Sequence, residues 1–533
     1  MLMLLLSCSG SPTTSTSASP DGDTLVLAYQ SSPNSMLSMT AQASADHDLI
    51  DNLFLHLLKV EFDCGLQYTP GLATKWEFNE DGTELRMWLR EDVAWSDGVA
   101  FTADDVAFTY ELTADSAVAS PRFPATEYMV KGSMPEVVGP HEILWKFEHA
   151  YDRDTMLAHV NEVRPVPKHA LADADRGTLR GNPFGRNPIV NGPWRIEDFS
   201  PDQRLVLVPA EGSDVNLKRV IVKVLPEYAT RVMELENGSV DWVQSLQIED
   251  ADRIRRDHPE INLIRRGWRS TDYLVWDTRN ELFEDPTVRN ALSTAIDADK
   301  MIDDLLTSET GEAYGKRAVS SVSPALCGSH NGDIEPLPYD VDKAKQMFAE
   351  AGWTDTNGDG VLDKDGKDFA FTLLTNSGNP RRARAAILIQ ANLQDVGVKM
   401  EIAKLESNTF FSSLRKKEFE AALSGWVASD YVDMSGLWHS GEEYAQNYAS
   451  YNNPEVDRLI DAAMSEPDPE IAAAHWKEVQ ALVYADQPYT FLFWRDDIIG
   501  VHNRFEDATV NFISPLRNLE DWTVAPDKVK YKN

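Results

Sequence analysis

Cysteine is scarce: 533 residues contain three, Cys8, Cys64 and Cys327. No two stand as C-x-x-C, which excludes zinc ribbons and thioredoxin-type redox sites. With Cys8 set aside, Cys64 and Cys327 either pair in an oxidising compartment or remain two buried thiols. No run of 18 apolar residues occurs, so no stretch can cross a membrane as a helix. Positive charge is also short: 50 Lys and Arg face 86 Asp and Glu, a net −36. Such a surface repels phosphate backbones, and nucleic acid is excluded as a partner. The carboxylates are scattered rather than gathered in a tail, the pattern of a solvating surface. G-x-S-x-G and H-E-x-x-H are absent, and none of the 11 His stands four residues from another. Nothing in the pattern asks for catalysis, and no 20–50-residue repeat suggests a solenoid.

What is present describes a soluble globular chain of two or three domains: 42% hydrophobic and 26% charged residues. Fourteen Trp provide aromatic surface for packing or for a pocket. Leu25–Tyr29 reads as a strand, and Ala41–Lys59 as a helix ending in the apolar cluster Leu53-Phe54-Leu55. Thr102 and Asp105 form a capping-box start, followed by the helical stripe Ala103, Val106 and Tyr110. Arg204–Val208 and Val220–Leu225 read as strands. Asp340 caps a helix closed by Gly352, Phe369–Leu374 is a strand, and Pro454 opens a helix with Val456, Leu459, Ile460 and Ala463 on one face. Helices and strands alternate throughout, which predicts α/β architecture.

Leu5-Leu6-Ser7-Cys8 resembles the lipobox of bacterial lipoproteins, which implies cleavage before Cys8 and acylation of its thiol. No Lys or Arg precedes it, unlike an ordinary secretory signal. Residues 9–20 hold eight Ser or Thr among twelve, too polar to fold. As a coil they span about 19 Å, a tether from a lipid anchor to a globular body.

The segment 70–110 carries Pro70, Leu72-Ala73, Trp76, Asp81-Gly82-Thr83, Leu89-Arg90, Val93, Trp95-Ser96-Asp97-Gly98, Thr102-Ala103 and Asp105-Val106. This spacing resembles the signature of the family 5 extracellular solute-binding proteins of ABC transporters, the oligopeptide- and dipeptide-binding group. Asn191-Gly192-Pro193-Trp194, Val288-Arg289 with Ala295-Ile296-Asp297, and Asn453-Pro454-Glu455-Val456-Asp457 resemble later family blocks in the same order. The resemblance implies an α/β, two-lobed periplasmic-binding-protein-like fold of type II, in its large peptide-binding class, with an extra subdomain. It places residues 1–22 in the signal and tether, 23–45, 190–275 and 490–533 in lobe I, 46–189 in the subdomain and 276–489 in lobe II. The chain would cross between lobes near Asp272–Asp277 and Pro488–Trp494, a hinge able to close on a ligand.

The resemblance further implies the substrate-binding component of an ABC importer in the cell envelope. Such a component would be a monomer held by a lipid anchor, capturing short peptides and delivering them to permease subunits. Relatives that bind oligosaccharides, nickel chelates or haem keep those ligands open as alternatives, and a cleft hydrolase is the second alternative. No cofactor or metal is expected. Burying a peptide ammonium requires a carboxylate partner, and in peptide binders of the family an Asp just after a Trp supplies it. Asp430, four residues after Trp426, is the first candidate and Asp433 the second. The ligand carboxylate needs an Arg fork. Arg381, Arg382 and Arg384 open a helix, and Arg384 best matches the family's position. Trp426 and Trp438 are candidates for the pocket wall. Val190 stands where the family prefers Gly.

Two further patterns are weaker. Asp355, Asn357, Asp359, Gly360 and Asp363 follow a calcium-loop spacing, but Gly366 replaces the bidentate Glu at position 12, so a tight turn is expected. Gly311–Lys316 lacks the spacing of a phosphate loop.

Overall fold

The computed structural model describes residues 24–33, 35–41, 44–441 and 446–529. Cys8 and the polar tether lie outside the described residues.

The described residues open with β1 (Thr24–Tyr29) and α1 (Ser44–Leu53). The helix is shorter than the Ala41–Lys59 expected. After Leu53 the pattern changes to Leu58, Val60 and Phe62 alternating with Lys59 and Glu61, the two-residue period of a strand. These residues form β2 (Leu58–Phe62), paired antiparallel with β3 (Leu66–Pro70) as a hairpin. The signature segment then builds β4 (Ala73–Phe78), β5 (Glu84–Leu89) and α2 (Ala103–Ala114). With β6 (Glu136–Gly139) and β7 (Glu142–Lys146) the strands make a separate sheet of order β4-β5-β7-β6. Helix α3 (Arg153–Glu162) follows.

The signature block is scaffolding. Buried Asp105 accepts hydrogen bonds from Trp95 Nε1 at 3.2 Å, Thr102 N at 3.0 Å and Lys168 N at 2.8 Å. One carboxylate thus closes the capping box of α2 and fixes the Trp-Ser-Asp-Gly turn above it. The Asn191-Gly192 turn does similar work. Gly192 N donates to Leu53 O at 2.9 Å, and Asn191 Oδ1 accepts from Leu55 N at 2.9 Å. A side chain on Gly192 would sit 2.6 Å from the Leu53 carbonyl, so glycine is required by close approach.

The main sheet adds β8 (Trp194–Ser200), β9 (Arg204–Pro209), β10 (Arg219–Val224), β11 (Trp242–Val243), β12 (Ile261–Trp276) and β13 (Gly315–Arg317). The small hairpin β14 (Asp363–Lys364) and β15 (Lys367–Asp368) follows. The sheet is completed by β16 (Ala370–Asn376), β17 (Lys399–Leu405), β18 (Ala421–Val427) and β19 (Tyr489–His502). Its order is β17-β16-β18-β12-β19-β11-β1-β10-β9-β8, with β13 on β19. Parallel pairs (β1 on β10, β16 on β17 and β18) and antiparallel pairs coexist.

Side chains alternate between apolar clusters on the two faces. In β1, Leu25, Leu27 and Tyr29 join one cluster while Val26 and Ala28 join another. In the second half of β12, Leu274 and Trp276 face one cluster and Tyr273 and Val275 the opposite one. Each half of the sheet therefore has its own pair of cores, and among the described residues only the long strands β12 and β19 run through both. Their pairing lapses between Arg266 and Ser270. There Trp268 adopts a left-handed φ of 55°. Asp496 holds its N–H at 3.1 Å and the Ser323 hydroxyl holds its carbonyl at 2.8 Å.

Cys64, at the tip of the β2–β3 hairpin, is disulfide-bonded to Cys327, with Cα atoms 4.9 Å apart. Leu326 beside it belongs to the core of the second half, with Phe410 and Trp438. The acidic turn after Thr354 is satisfied by itself: Asp355 accepts from Gly358 N and Gly360 N, and Asp363 from Thr356. No helix among the described residues is long and apolar enough to cross a membrane.

Candidate functional site

A cavity of about 530 Å³ opens where the hairpin, α1, the break in β12, the end of β18 and the middle of β19 converge. Its wall is unusual for so acidic a chain, because six arginines line it: Arg122, Arg164, Arg266, Arg269, Arg495 and Arg517. Five carboxylates face them: Asp48, Asp51, Glu162, Asp430 and Asp497.

Helix α1 brings Asp48 and Asp51 onto one face by their i, i+3 spacing. Asp51 pairs with Arg164 at 2.7 Å and with His56 at 3.4 Å. Burial raises its pKa, but Arg164 and His56 outweigh burial and hold the carboxyl well below the usual range. Asp48 makes no ion pair at contact distance, and the charges of Arg266 and Arg269 only partly offset its burial. Burial pushes it up to about 6, against the opposing bond from the Ser514 hydroxyl at 2.6 Å. Burial, reinforced by Arg122 and Arg164, lowers His47 and His56 to about 4, so both imidazoles are neutral near pH 7. Glu162 pairs with Arg122. Burial would raise its carboxyl, but nearby His159, 3.9 Å away, and the Arg122 charge bring it to about 2.

At the break in β12, the Arg266 guanidinium donates to the carbonyls of Phe512 (2.8 Å) and Ile513 (2.6 Å). Arg269 lies over the Phe512 ring at 4.8 Å and donates to Asp430 Oδ1 at 2.5 Å. Burial raises the Asp430 carboxyl, opposed by Arg269. Asp497 accepts from the Ser245 hydroxyl at 2.8 Å. Arg495 stands where charge interrupts an apolar strand. Burial, and then the repulsion of Arg381, brings its guanidinium down to about 10. The whole wall is an alternation of fixed charges in a partly dry recess. It suits a ligand carrying both signs of charge and is too polar for an apolar one.

Of the five ligand candidates named from sequence, Asp430 lines this cavity. Trp426 lies one layer behind, stacked between Tyr273 (6.3 Å) and Tyr448 (5.4 Å). Asp433 accepts from Ser435 N at 2.9 Å and from the Tyr128 hydroxyl at 3.2 Å, a contact between the two halves. Trp438 is 1% exposed in the second core, with Nε1 donating to Ser321. Arg384 is outside the cavity wall, on the exposed face, pairing with Glu249 at 3.2 Å. Its neighbours Arg381 and Arg382 both donate to buried Asp272. Asp48, Asp51, Arg164, Arg266, Arg269, Arg495 and Arg517 were not singled out from sequence. One signal was available: Arg495-Asp496-Asp497 interrupts an otherwise apolar run from Tyr489 to Val501, at a predicted crossing between lobes.

Residues 67–448 match the model of the bacterial extracellular solute-binding proteins, family 5 Middle. The oligopeptide-binding protein AppA of Bacillus subtilis (strain 168) is 29% identical, the match covering 98% of this chain and 97% of that protein. A solved structure of Bacillus subtilis AppA with a nonapeptide superposes with a TM-score of 0.79 at 28% identity, covering 95% of this chain and all of that one. Heme-binding protein A of Haemophilus influenzae is 27% identical over 81% of this chain and 80% of its own.

Proposed function

The chain belongs to family 5 of the bacterial extracellular solute-binding proteins, and we propose that it is the substrate-binding component of an ABC importer that captures short peptides. The observation that carries this reading is the cavity itself. It lies where the two halves meet and offers fixed carboxylates and guanidiniums to a ligand that bears an ammonium, a carboxylate and amides between them. Likeness to a peptide-binding relative over nearly the full length supports the same ligand class.

In the proposed cycle the halves turn about the break at residues 267–269, enclose the peptide and release it unchanged to a permease. Asp430 is the proposed contact for the ammonium. Arg269 takes its Oδ1, and a carboxylate has a second oxygen to offer. Trp426, Asp433 and Trp438 would support the wall behind it, and Arg384 would act from the rim. The protein would work as a monomer at the extracytoplasmic face, anchored through Cys8.

Calorimetry on ligand-stripped protein tests the assignment. Asp430→Ala should weaken binding of a peptide by more than about tenfold, the scale of one lost charge-assisted contact. An unchanged dissociation constant would remove Asp430 from the site.

A further inference from the structure

The cavity charges do not cancel. Three arginines have carboxylate partners: Arg122 with Glu162, Arg164 with Asp51, and Arg269 with Asp430. Arg266 is bound by two backbone carbonyls. Among the described residues, Arg495 and Arg517 make no ion pair at contact distance, although Asp272 and Asp497 act on the first and Asp51 and Asp430 on the second, and Arg495 Nε has no hydrogen bond. Behind Arg495 the imbalance grows. Arg381 and Arg382 share the single carboxylate Asp272, at 2.8 and 3.3 Å. That corner therefore holds three guanidiniums around buried Asp272, with Asp497 of the cavity wall as the second carboxylate acting on Arg495. Both histidines in the wall are neutral near pH 7. A zwitterionic ligand leaves this excess standing, a basic ligand adds to it, and a ligand with one more negative charge reduces it. In a recess partly shielded from water, such a mismatch is weakly screened and discriminates between ligands.

We propose that Arg495 and Arg517 are specificity-determining residues that receive ligand carboxylates, so that the cavity selects peptides of net negative charge. This rests on the peptide reading and narrows it. One carboxylate is the peptide's C-terminus and the other an Asp or Glu side chain. The planar guanidinium fork suits both.

The test is calorimetry at pH 7.5 with ligand-stripped full chain and three peptides of equal length, Ala-Glu-Ala, Ala-Ala-Ala and Ala-Lys-Ala, each with free and amidated C-terminus. The glutamyl peptide should bind at least about tenfold tighter than the lysyl one. Arg495→Gln and Arg517→Gln should each reduce that ratio severalfold, while Arg495→Lys keeps most of it. The amidated series separates the two carboxylates, because a preference for Glu that survives amidation belongs to the side chain. Thermal unfolding checks that each variant folds, and Arg517→Gln alone carries the test if Arg495→Gln does not. Tight binding of all three peptides without charge preference overturns the inference and leaves the peptide reading intact. So does a preference unchanged in both Gln variants. Failure to bind any peptide overturns both.

Discussion

The disulfide offers the sharpest test of how the two halves are held. Cys64 sits at the tip of the hairpin that supplies Val60, Leu66 and Tyr68 to the cavity wall, and Cys327 is seated beside the core of the other half. The bridge closes a loop of 263 residues. In the chain-entropy model a loop of that size is worth about 5–6 kcal/mol at 25 °C, and measured disulfides more often deliver about 2–4 kcal/mol. Removing it with Cys64→Ser and Cys327→Ser, or with a phosphine reductant, should lower the apparent unfolding midpoint by several degrees. It should also speed ligand release, because the hairpin is then free to leave the second half during opening. Thermal unfolding followed by circular dichroism, with thiol titration to verify reduction, reads the first effect. Stopped-flow release of a labelled peptide reads the second. The double variant should be indifferent to reductant. A midpoint and a release rate both unchanged after complete reduction would refute the idea that this bridge restrains the two halves.

Three other perturbations follow from buried groups. Asp48 is raised to about 6 by burial, above an unfolded value near ~3.9. The folded state thus holds its proton more tightly, and stability falls as pH rises from about 4 to 6. Relative to Asp48→Asn, the native chain should lose about 2–3 kcal/mol over that window and then level off. A flat difference in denaturant unfolding across that range would contradict it. Arg504 and Asp241 form a buried pair at 2.7 Å, and the same guanidinium binds Thr24 O on β1. Arg504→Ala should cost about 3–5 kcal/mol by leaving Asp241 unmatched, and the double replacement Arg504→Met, Asp241→Leu should cost less. Gly192→Ala should destabilise by about 1–3 kcal/mol, since the new Cβ meets the Leu53 carbonyl at 2.6 Å. Equal unfolding midpoints for variant and parent would contradict it.

Much of the scaffold was legible in the chain because it follows local rules. The capping box at Thr102, the Asp340 cap and the Pro454 helix start all need only a few consecutive residues, and all three form. Helix α1 was overrun because Leu53-Phe54-Leu55 satisfies a helical stripe as well as a turn, and the strand period begins only at Leu58. The family signature marked a fold rather than a ligand contact: Asp105 spends its oxygens on Trp95, Thr102 and Lys168. The cavity was the least legible part. Its charges come from α1, α3, β12, β19, the loop after β18, the C-terminal loop and the loops that carry Arg122 and Arg164, and no local pattern says that Asp51 meets Arg164 or that Arg269 meets Asp430. Local spacing also cannot reveal that Arg381 and Arg382 turn inward to Asp272 while Arg384, two residues on, reaches Glu249 on the exposed face.

The most direct measurement is mass spectrometry of the small molecules released when the protein, purified without refolding from its natural envelope, is denatured. The expected result is short peptides in near-stoichiometric amount, enriched in Asp and Glu. Recovery of a sugar, a metal chelate or haem in their place would contradict the peptide reading outright.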